Sequence, residues 1–403
     1  MNISQRLRSL PRNVWATTLA SLLTDISTDM VAFLLPLFLA NVLGARTSAI
    51  GLIEGIAEST ASLLKVFSGW LSDRLGGRKW LTIAGYSLST VSKPFLAIVS
   101  SWPGVLAVRF FERAGKGIRT APRDALIADS IAPEQRGLAF GFHRAGDTLG
   151  SFLGLALALL IVSQMQPNLD TLAPETFRTL VIISVIPAAL GVLVLIVGVR
   201  EIKPQTQSAP PRLSLRGLPP RFRAFLGILA LFTLGNSSDA FLILRAQERG
   251  ITVTGTLLMI LSFNFVYTLA SGPLGALSDR LGRRRVILAG WTIYGLIYLG
   301  FALASAGWQV WALYTLYGLY YAAFEGTAKA LVADFVPQAQ RGTAYGVYNA
   351  LIGLMALPAS VLAGLLWQGI GGWTGFGASA PFVVGAALAL AAALLLSRLG
   401  DTT

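Results

Sequence analysis

The sequence predicts an all-α membrane protein in which twelve transmembrane helices form two pseudo-symmetric six-helix bundles. Three observations carry this. Of the 403 residues, 54% are hydrophobic and only 13% charged, against about 25% charged in a soluble domain. Apolar stretches of roughly 20 residues, the length that crosses a bilayer, recur twelve times. Lys and Arg gather in alternate connections between those stretches, the pattern of cytoplasmic loops.

In chain order the expected spans are 14–40, 48–71, 80–100, 104–127, 137–163, 178–199, 222–245, 254–277, 285–305, 308–332, 342–367 and 377–397. Arg6, Arg8 and Arg12 precede the first, and Arg74, Arg78 and Lys79 follow the second. Arg123 and Arg136 flank the loop after the fourth, and Arg280, Arg283, Arg284 and Arg285 follow the eighth. Arg200, Lys203, Arg212, Arg216, Arg221 and Arg223 follow the sixth, and Arg398 ends the twelfth. The other loops hold few cations: Arg46, Arg178 and Arg249. An even number of spans with both termini in the cytoplasm of an inner (plasma) membrane fits every cluster. The opening segment lacks an apolar core with a small-residue cleavage site, so the first span reads as an uncleaved insertion signal.

The net charge of +13 raises a nucleic-acid partner, but the cations sit in short loops and no soluble domain is left to carry such a surface. With no Cys and a single His, disulfides, thiolate metal sites and thiol nucleophiles are excluded. No Gly-Lys-Ser/Thr phosphate loop is present. Enzymatic activity and a bound cofactor are therefore not expected.

Residues 104–130 are the exception that organises the rest. This span carries Arg109, Glu112, Arg113, Lys116, Arg119, Arg123 and Asp124. At about 100° per residue its cations fall within roughly 120° of one another, opposite Phe110, Phe111, Ala114, Ile118 and Ala121. Charge in hydrocarbon costs at least a few kcal/mol per group unless it is paired or faces water. That face must meet protein or an aqueous cavity.

The polar, Pro-rich stretch 200–221 reads as an extended linker, with room for a short surface helix near Leu213–Leu218. It separates an N-terminal bundle, 1–199, from a C-terminal bundle, 222–403. The two halves repeat. Gly69, Asp73, Arg74, Gly76, Arg78 and Lys79 recur as Gly275, Asp279, Arg280, Gly282, Arg284 and Arg285. Ala128, Asp129, Pro133, Gln135, Arg136, Gly137 and Gly141 recur as Ala333, Asp334, Pro337, Gln340, Arg341, Gly342 and Gly346, at nearly the same offset. Parallel repeats around a midplane site are a transporter architecture.

The doubled Gly-x-x-x-Asp-Arg-x-Gly loop resembles the signature loop of the major facilitator superfamily. Arg113, four residues before Gly117, resembles that family's motif in the fourth span. Two positions depart from the pattern: Gly77 stands where the first loop usually has a cation, and Arg119 where the span motif usually has a Gly. The resemblance covers the whole chain. It implies a central cavity lined by the first, fourth, seventh and tenth spans, and a gating role for Asp73 and Asp279 with their neighbours Arg74 and Arg280. Arg136 and Arg341 are their expected partners.

Within that frame the residues divide by chemistry. Asp25 and Asp29 lie one turn apart in the first span, and Glu54 and Glu58 one turn apart in the second. These four carboxylates, at a depth without Arg, are the candidate proton-coupling set. Arg113, Lys116 and Arg119 outnumber the nearby acids and suit carboxylate or phosphate groups. Tyr317 and Tyr321 belong to an aromatic wall with Tyr294, Tyr298, Tyr314, Tyr320, Phe324, Tyr345 and Tyr348. Arg113, Lys116, Arg119, Tyr317 and Tyr321 are the candidate substrate contacts. Helical spacing pairs Glu112 with Arg109, Lys116 or Arg119, Arg144 with Asp147, and Glu325 with Lys329. Arg245, Glu248 and Arg249 are expected near the outer surface.

The reading is a monomeric secondary transporter of a small organic solute, anionic or amphiphilic, working by proton-coupled efflux and in contact with membrane lipids. Two alternatives are a divalent-metal carrier using Asp25, Asp29, Glu54, Glu58 and His143, and a non-transporting sensor or lipid-handling protein.

Overall fold

The computed structural model describes residues 10–132, 135–166, 170–202, 215–337 and 340–399, without the side chains of Asp73 and Gly342. Arg6, Arg8, Pro133, Lys203, Arg212 and the first two residues of the possible linker helix lie outside the described residues. Leu215–Leu218 forms a turn.

All regular structure among the described residues is helical. The main helices are α1 (Arg12–Ala32), α2 (Thr47–Arg74), α3 (Lys79–Ser92), α4 (Trp102–Asp129), α5 (Arg136–Met165) and α6 (Pro174–Gly198), followed by α7 (Pro220–Gly235), α8 (Ala240–Glu248), α9 (Val253–Leu281), α10 (Arg283–Leu303), α11 (Gly307–Phe335), α12 (Arg341–Gln368) and α13 (Ala380–Arg398). Eight segments among the described residues are long and apolar enough to cross a membrane; Pro220–Glu248, which joins α7 and α8, is one. The remaining spans are α2, α3, α4 and α11. Buried charges interrupt α2 and α4, and α3 has only 14 residues before it tightens into the 3₁₀ turn Lys93–Ala97.

Three expected spans are not continuous helices. After α1 the chain turns at Phe33–Leu34, then runs through Leu35–Leu37 and a π-helical segment, Phe38–Val42. Pro36 cannot donate an intrahelical hydrogen bond. The 3₁₀ turn that ends the third span begins one residue before Pro94. The seventh span breaks at Asn236–Asp239. There a run of Asn, Ser, Ser and Asp offers side chains that compete for backbone hydrogen bonds.

Two compact units form. The first holds α1, α2 from Thr60 onward, and α3 to α6; the second holds Leu39–Ser59 and α7 to α13. Within the first unit α1 packs on α5 and α6, and α3 on α4 and α6. Within the second, α7 packs on α12 and α13, and α10 on α11 and α13. Each pairing matches its counterpart across the sequence repeat, so the repeat is one of packing as well as of motifs.

Small residues set the close approaches, as expected where lipid removes any hydrophobic drive between helices. A Cβ on Gly150 would lie 2.5 Å from the carbonyl oxygen of Leu22, and one on Gly154 2.6 Å from that of Ile26, so α5 lies directly against α1. In α4 two glycines serve two neighbours. A Cβ on Gly115 would lie 2.5 Å from Gly85 O of α3; one on Gly117 would lie 2.7 Å from Ala61 O of α2. On the outside, α6 exposes Ile182, Ile186, Leu190, Leu193 and Val197 at helical spacing. In water this stripe would favour aggregation; in a bilayer it meets hydrocarbon.

Arg245 is fully buried within the protein. Its guanidinium donates to the carbonyls of Phe301, Ala302 and Ala304, to Ser379 Oγ and, at 2.6 Å, to Glu248 Oε2. Arg245 thereby satisfies orphan carbonyls at the end of α10.

Gly115→Ala is expected to lower stability by about 1–3 kcal/mol through overpacking against backbone atoms. Gly227→Ala, in a helix position with no atom within 4 Å of an added Cβ, is expected to be neutral or to stabilise by up to about 1 kcal/mol. Thermal unfolding of the purified protein in detergent, followed by tryptophan fluorescence, compares the two.

Candidate substrate, coupling and gating residues

In the first unit, close packing of α3 on α4 decides what the cations do. Arg119 is buried; its Nη1 donates to Ser89 Oγ at 2.9 Å and its guanidinium lies 4.3 Å from the centre of the Tyr86 ring. Ser89 in turn donates to Glu112 O at 2.8 Å. A Cβ on Gly85 would meet Arg119 Cβ at 2.7 Å, so glycine at 85 permits this approach. Arg109 pairs with Glu112 at 2.9 Å, both buried, which selects one of the three expected partners. Arg113 is half-buried and Lys116 exposed, and both already interact with other groups.

Helix α1 meets the cations of its neighbours with hydroxyls. Lys93 Nζ, buried, donates to Ser27 Oγ at 2.5 Å and reaches Thr28 Oγ1 at 3.4 Å. Arg123 Nη1 donates to Ser21 Oγ at 3.1 Å, while its other nitrogens grip Asp124. His143 Nδ1 lies 3.4 Å from Thr18 Oγ1, and its Nε2 lies 3.7 Å from Asp147 without a hydrogen bond. Asp25 and Asp29, half-buried on the same helix, have no Lys, Arg or His within 4 Å among the described residues. Cations act on both carboxylates from farther away: Lys116 and Arg119 on Asp25, and Lys116, Lys93 and Arg113 on Asp29.

In the second unit Glu54 is buried and Glu58 half-buried, and both already interact with other groups. Tyr317 is fully buried and Tyr321 half-buried. Their hydroxyls donate to the two oxygens of Asp239, at 3.3 Å each. Asn236 Nδ2 donates to Tyr320 Oη at 3.1 Å, and Tyr294 Oη to Gly235 O at 2.9 Å. The aromatic wall therefore braces the break between α7 and α8. Tyr267 donates to Glu325 at 2.5 Å, and Lys329 lies 3.8 Å from Glu325, the expected pair.

The motif loops repeat in backbone and in charge. Gly76 and Gly282 both take positive φ, at 67° and 93° respectively. That conformation ends a helix at little cost only for glycine. Arg78 pairs with Asp129 at 2.7 Å; in the other half Arg283 pairs with Asp334 at 2.5 Å. Arg283 occupies the position where the first loop has Gly77, so the cation missing there is replaced by its neighbour. Glu201 adds a tie absent from the sequence reading: it accepts from Arg78 N at 2.7 Å and Lys79 N at 3.1 Å, capping the start of α3.

Asp279 is largely exposed, 3.9 Å from Arg283. Arg280 and Arg341 are exposed, Arg74 lies 5.5 Å from the Trp70 ring centre, and Arg136 donates to Ala128 O at 3.2 Å. The side chain of Asp73 lies outside the described residues. A polar cavity of about 560 Å³ opens beside the second loop, lined by Asp279, Arg280, Arg283–Arg285 and Asp334.

Sequence reasoning passed over Asp239 as a site. The signal was present in the helix-breaking run Asn236, Ser237, Ser238 and Asp239 within an apolar span.

Comparison with known proteins bears on the family. Residues 17–245 and 222–402 match the model for the Major Facilitator Superfamily. An uncharacterised MFS-type transporter of Methanocaldococcus jannaschii is 35% identical over 395 residues, 96% of this chain and 95% of that protein. A multi-drug resistance efflux pump, PmrA, of Streptococcus pneumoniae is 24% identical over 338 residues, 79% of each chain. Among solved structures, a POT family transporter in complex with 5-aminolevulinic acid superposes with a TM-score of 0.79 at 13% identity, covering 97% of both chains. That likeness concerns the fold.

Glu112→Gln is expected to cost about 3–5 kcal/mol, because it breaks the buried Arg109–Glu112 pair. Replacing both, Arg109→Met with Glu112→Leu, is expected to recover most of that loss. Melting temperatures of the single and double variants in detergent test this.

Proposed function

The chain belongs to the major facilitator superfamily of membrane transporters, and we propose that it moves a small amphiphilic organic solute by proton-coupled alternating access, in the direction of export. The observation that carries the coupling is the state of α1. Lys93, Arg123 and His143 reach it through Ser or Thr, while Asp25 and Asp29 pair with no cation among the described residues. A carboxylate that exchanges a proton during a transport cycle must not be neutralised permanently by a neighbour. Glu54 and Glu58 complete the protonatable set.

Arg113 and Lys116 face the solute, and Arg119 shapes that surface from its anchorage on Tyr86 and Ser89. Tyr321 supplies apolar contact, with Tyr317 behind it. Asp73, Arg74, Asp279, Arg280, Arg136 and Arg341 gate the cycle, supported by the doubled motif and by the charged ties at both loops. The moving halves are 1–199 and 222–403, joined by 200–221. The cation-rich loops support a plasma (inner) membrane location with both termini cytoplasmic, and a single chain acts as a monomeric carrier rather than an enzyme. Export is supported by the likeness to an efflux pump.

Proteoliposomes with an imposed pH gradient test this. The solute is first selected by thermal stabilisation against organic cations, anions and zwitterions. Wild-type protein is expected to drive that solute uphill, whereas Asp25→Asn or Asp29→Asn allows only downhill equilibration. Unimpaired uphill movement in both variants would refute the assignment.

A further inference from the structure

Asp239 stands in the interruption between α7 and α8, half-buried and reached by the hydroxyls of Tyr317 and Tyr321. A carboxylate can accept about four hydrogen bonds. Its two bonds from Tyr317 and Tyr321, at 3.3 Å, are long beside the usual 2.7–2.8 Å for hydroxyl donors. Much of its accepting capacity is therefore open. No Lys, Arg or His lies within ion-pair distance among the described residues. The carboxylates of Glu58 and Glu54 also act on it electrostatically.

The rings complete the chemistry. Phe263 lies 5.3 Å from Tyr321 and 5.8 Å from Tyr317, centre to centre, and Tyr267 lies 6.0 Å from Tyr321. Phe263, Tyr267 and Tyr321 are all half-buried, so each keeps an accessible part. A carboxylate without a cation, beside electron-rich ring faces, suits an organic ammonium group through charge and cation–π attraction together. A divalent metal would need a set of oxygen ligands, and the described residues contain no group of three His, Cys, Asp or Glu placed to supply one.

We propose that Asp239, Tyr321, Phe263 and Tyr267 bind the cationic end of an organic solute, a protonated amine or quaternary ammonium. Tyr317, fully buried, is a positioning residue that holds the Asp239 carboxylate. The inference rests on the carrier reading and names the solute's charge, which the sequence alone placed on the anionic or amphiphilic side.

The test is equilibrium binding to the purified full-length protein in detergent, followed by intrinsic fluorescence. Benzyltrimethylammonium, phenylacetate and benzyl alcohol are titrated in parallel. Saturable binding of the ammonium probe alone is expected, weakened about tenfold or more by Asp239→Asn and by Tyr321→Leu. Should Asp239→Asn fail to fold, Tyr321→Leu decides, because that ring sits at a half-buried edge. Preference for phenylacetate, absence of saturable ammonium binding, or unchanged affinity in a folded variant would overturn the site. Ammonium binding without flux in vesicles would support the site while removing the carrier function. Flux of another solute without ammonium binding would do the reverse.

Discussion

Charge inside a membrane span must be neutralised, hydrogen-bonded or wetted, and this constraint accounts for most of what surrounds α4. Glu112 answers Arg109, Ser89 and the Tyr86 ring receive Arg119, and Asp124 with Ser21 holds Arg123. Each solution needs close helices. Gly85 and Gly115 bring α3 to α4, and Gly117 brings α2 to its other side. The Arg-x-x-x-Gly motif in this span is therefore read physically as a charge next to the glycines that let neighbours reach it. Helix α4 has 28 residues. At the rise of an α-helix that is about 42 Å, and the hydrocarbon core of a bilayer is only about 30 Å thick. The end bearing Arg123, Asp124 and Asp129 can thus extend into the polar interface.

The two motif loops show how a repeat diverges while keeping its mechanics. Both end a helix on a positive-φ glycine, and both send a cation to the acid that closes the span two helices later. The cation comes from Arg78 in one half and Arg283 in the other, one motif position apart. Gly77 departs from the family pattern without loss of the tie. The extra cap from Glu201 anchors α3 to the segment leaving α6.

The fold was legible because it rests on quantities a sequence states directly: span length, the alternation of cationic loops and the constant offset between the two copies of each motif. The face of α4 was legible because helical geometry alone decides which side chains share it. Partners were not. Whether Glu112 meets Arg109, Lys116 or Arg119 depends on rotamers and on neighbours distant in sequence, and helical spacing left all three open. The partners of Arg245 were not legible either, because its carbonyl acceptors lie far along the chain, at Phe301, Ala302 and Ala304. Asp239 was not read as a site, because a lone acid beside a tyrosine run at helical spacing fits packing as well as binding. Its meaning comes from the break in the span, which an unbroken-helix reading hides.

In the proposed mechanism α1 meets cations with hydroxyls, so that Asp25 and Asp29 remain able to exchange protons. Infrared difference spectroscopy between acidic and alkaline buffer reads carboxyl protonation directly, on the carbonyl stretch of the acid form. The prediction is a titrating carboxyl band in the wild-type protein that is lost in part in Asp25→Asn and in part in Asp29→Asn. A wild-type band that persists unchanged in both variants, or no titrating band at all, would contradict it.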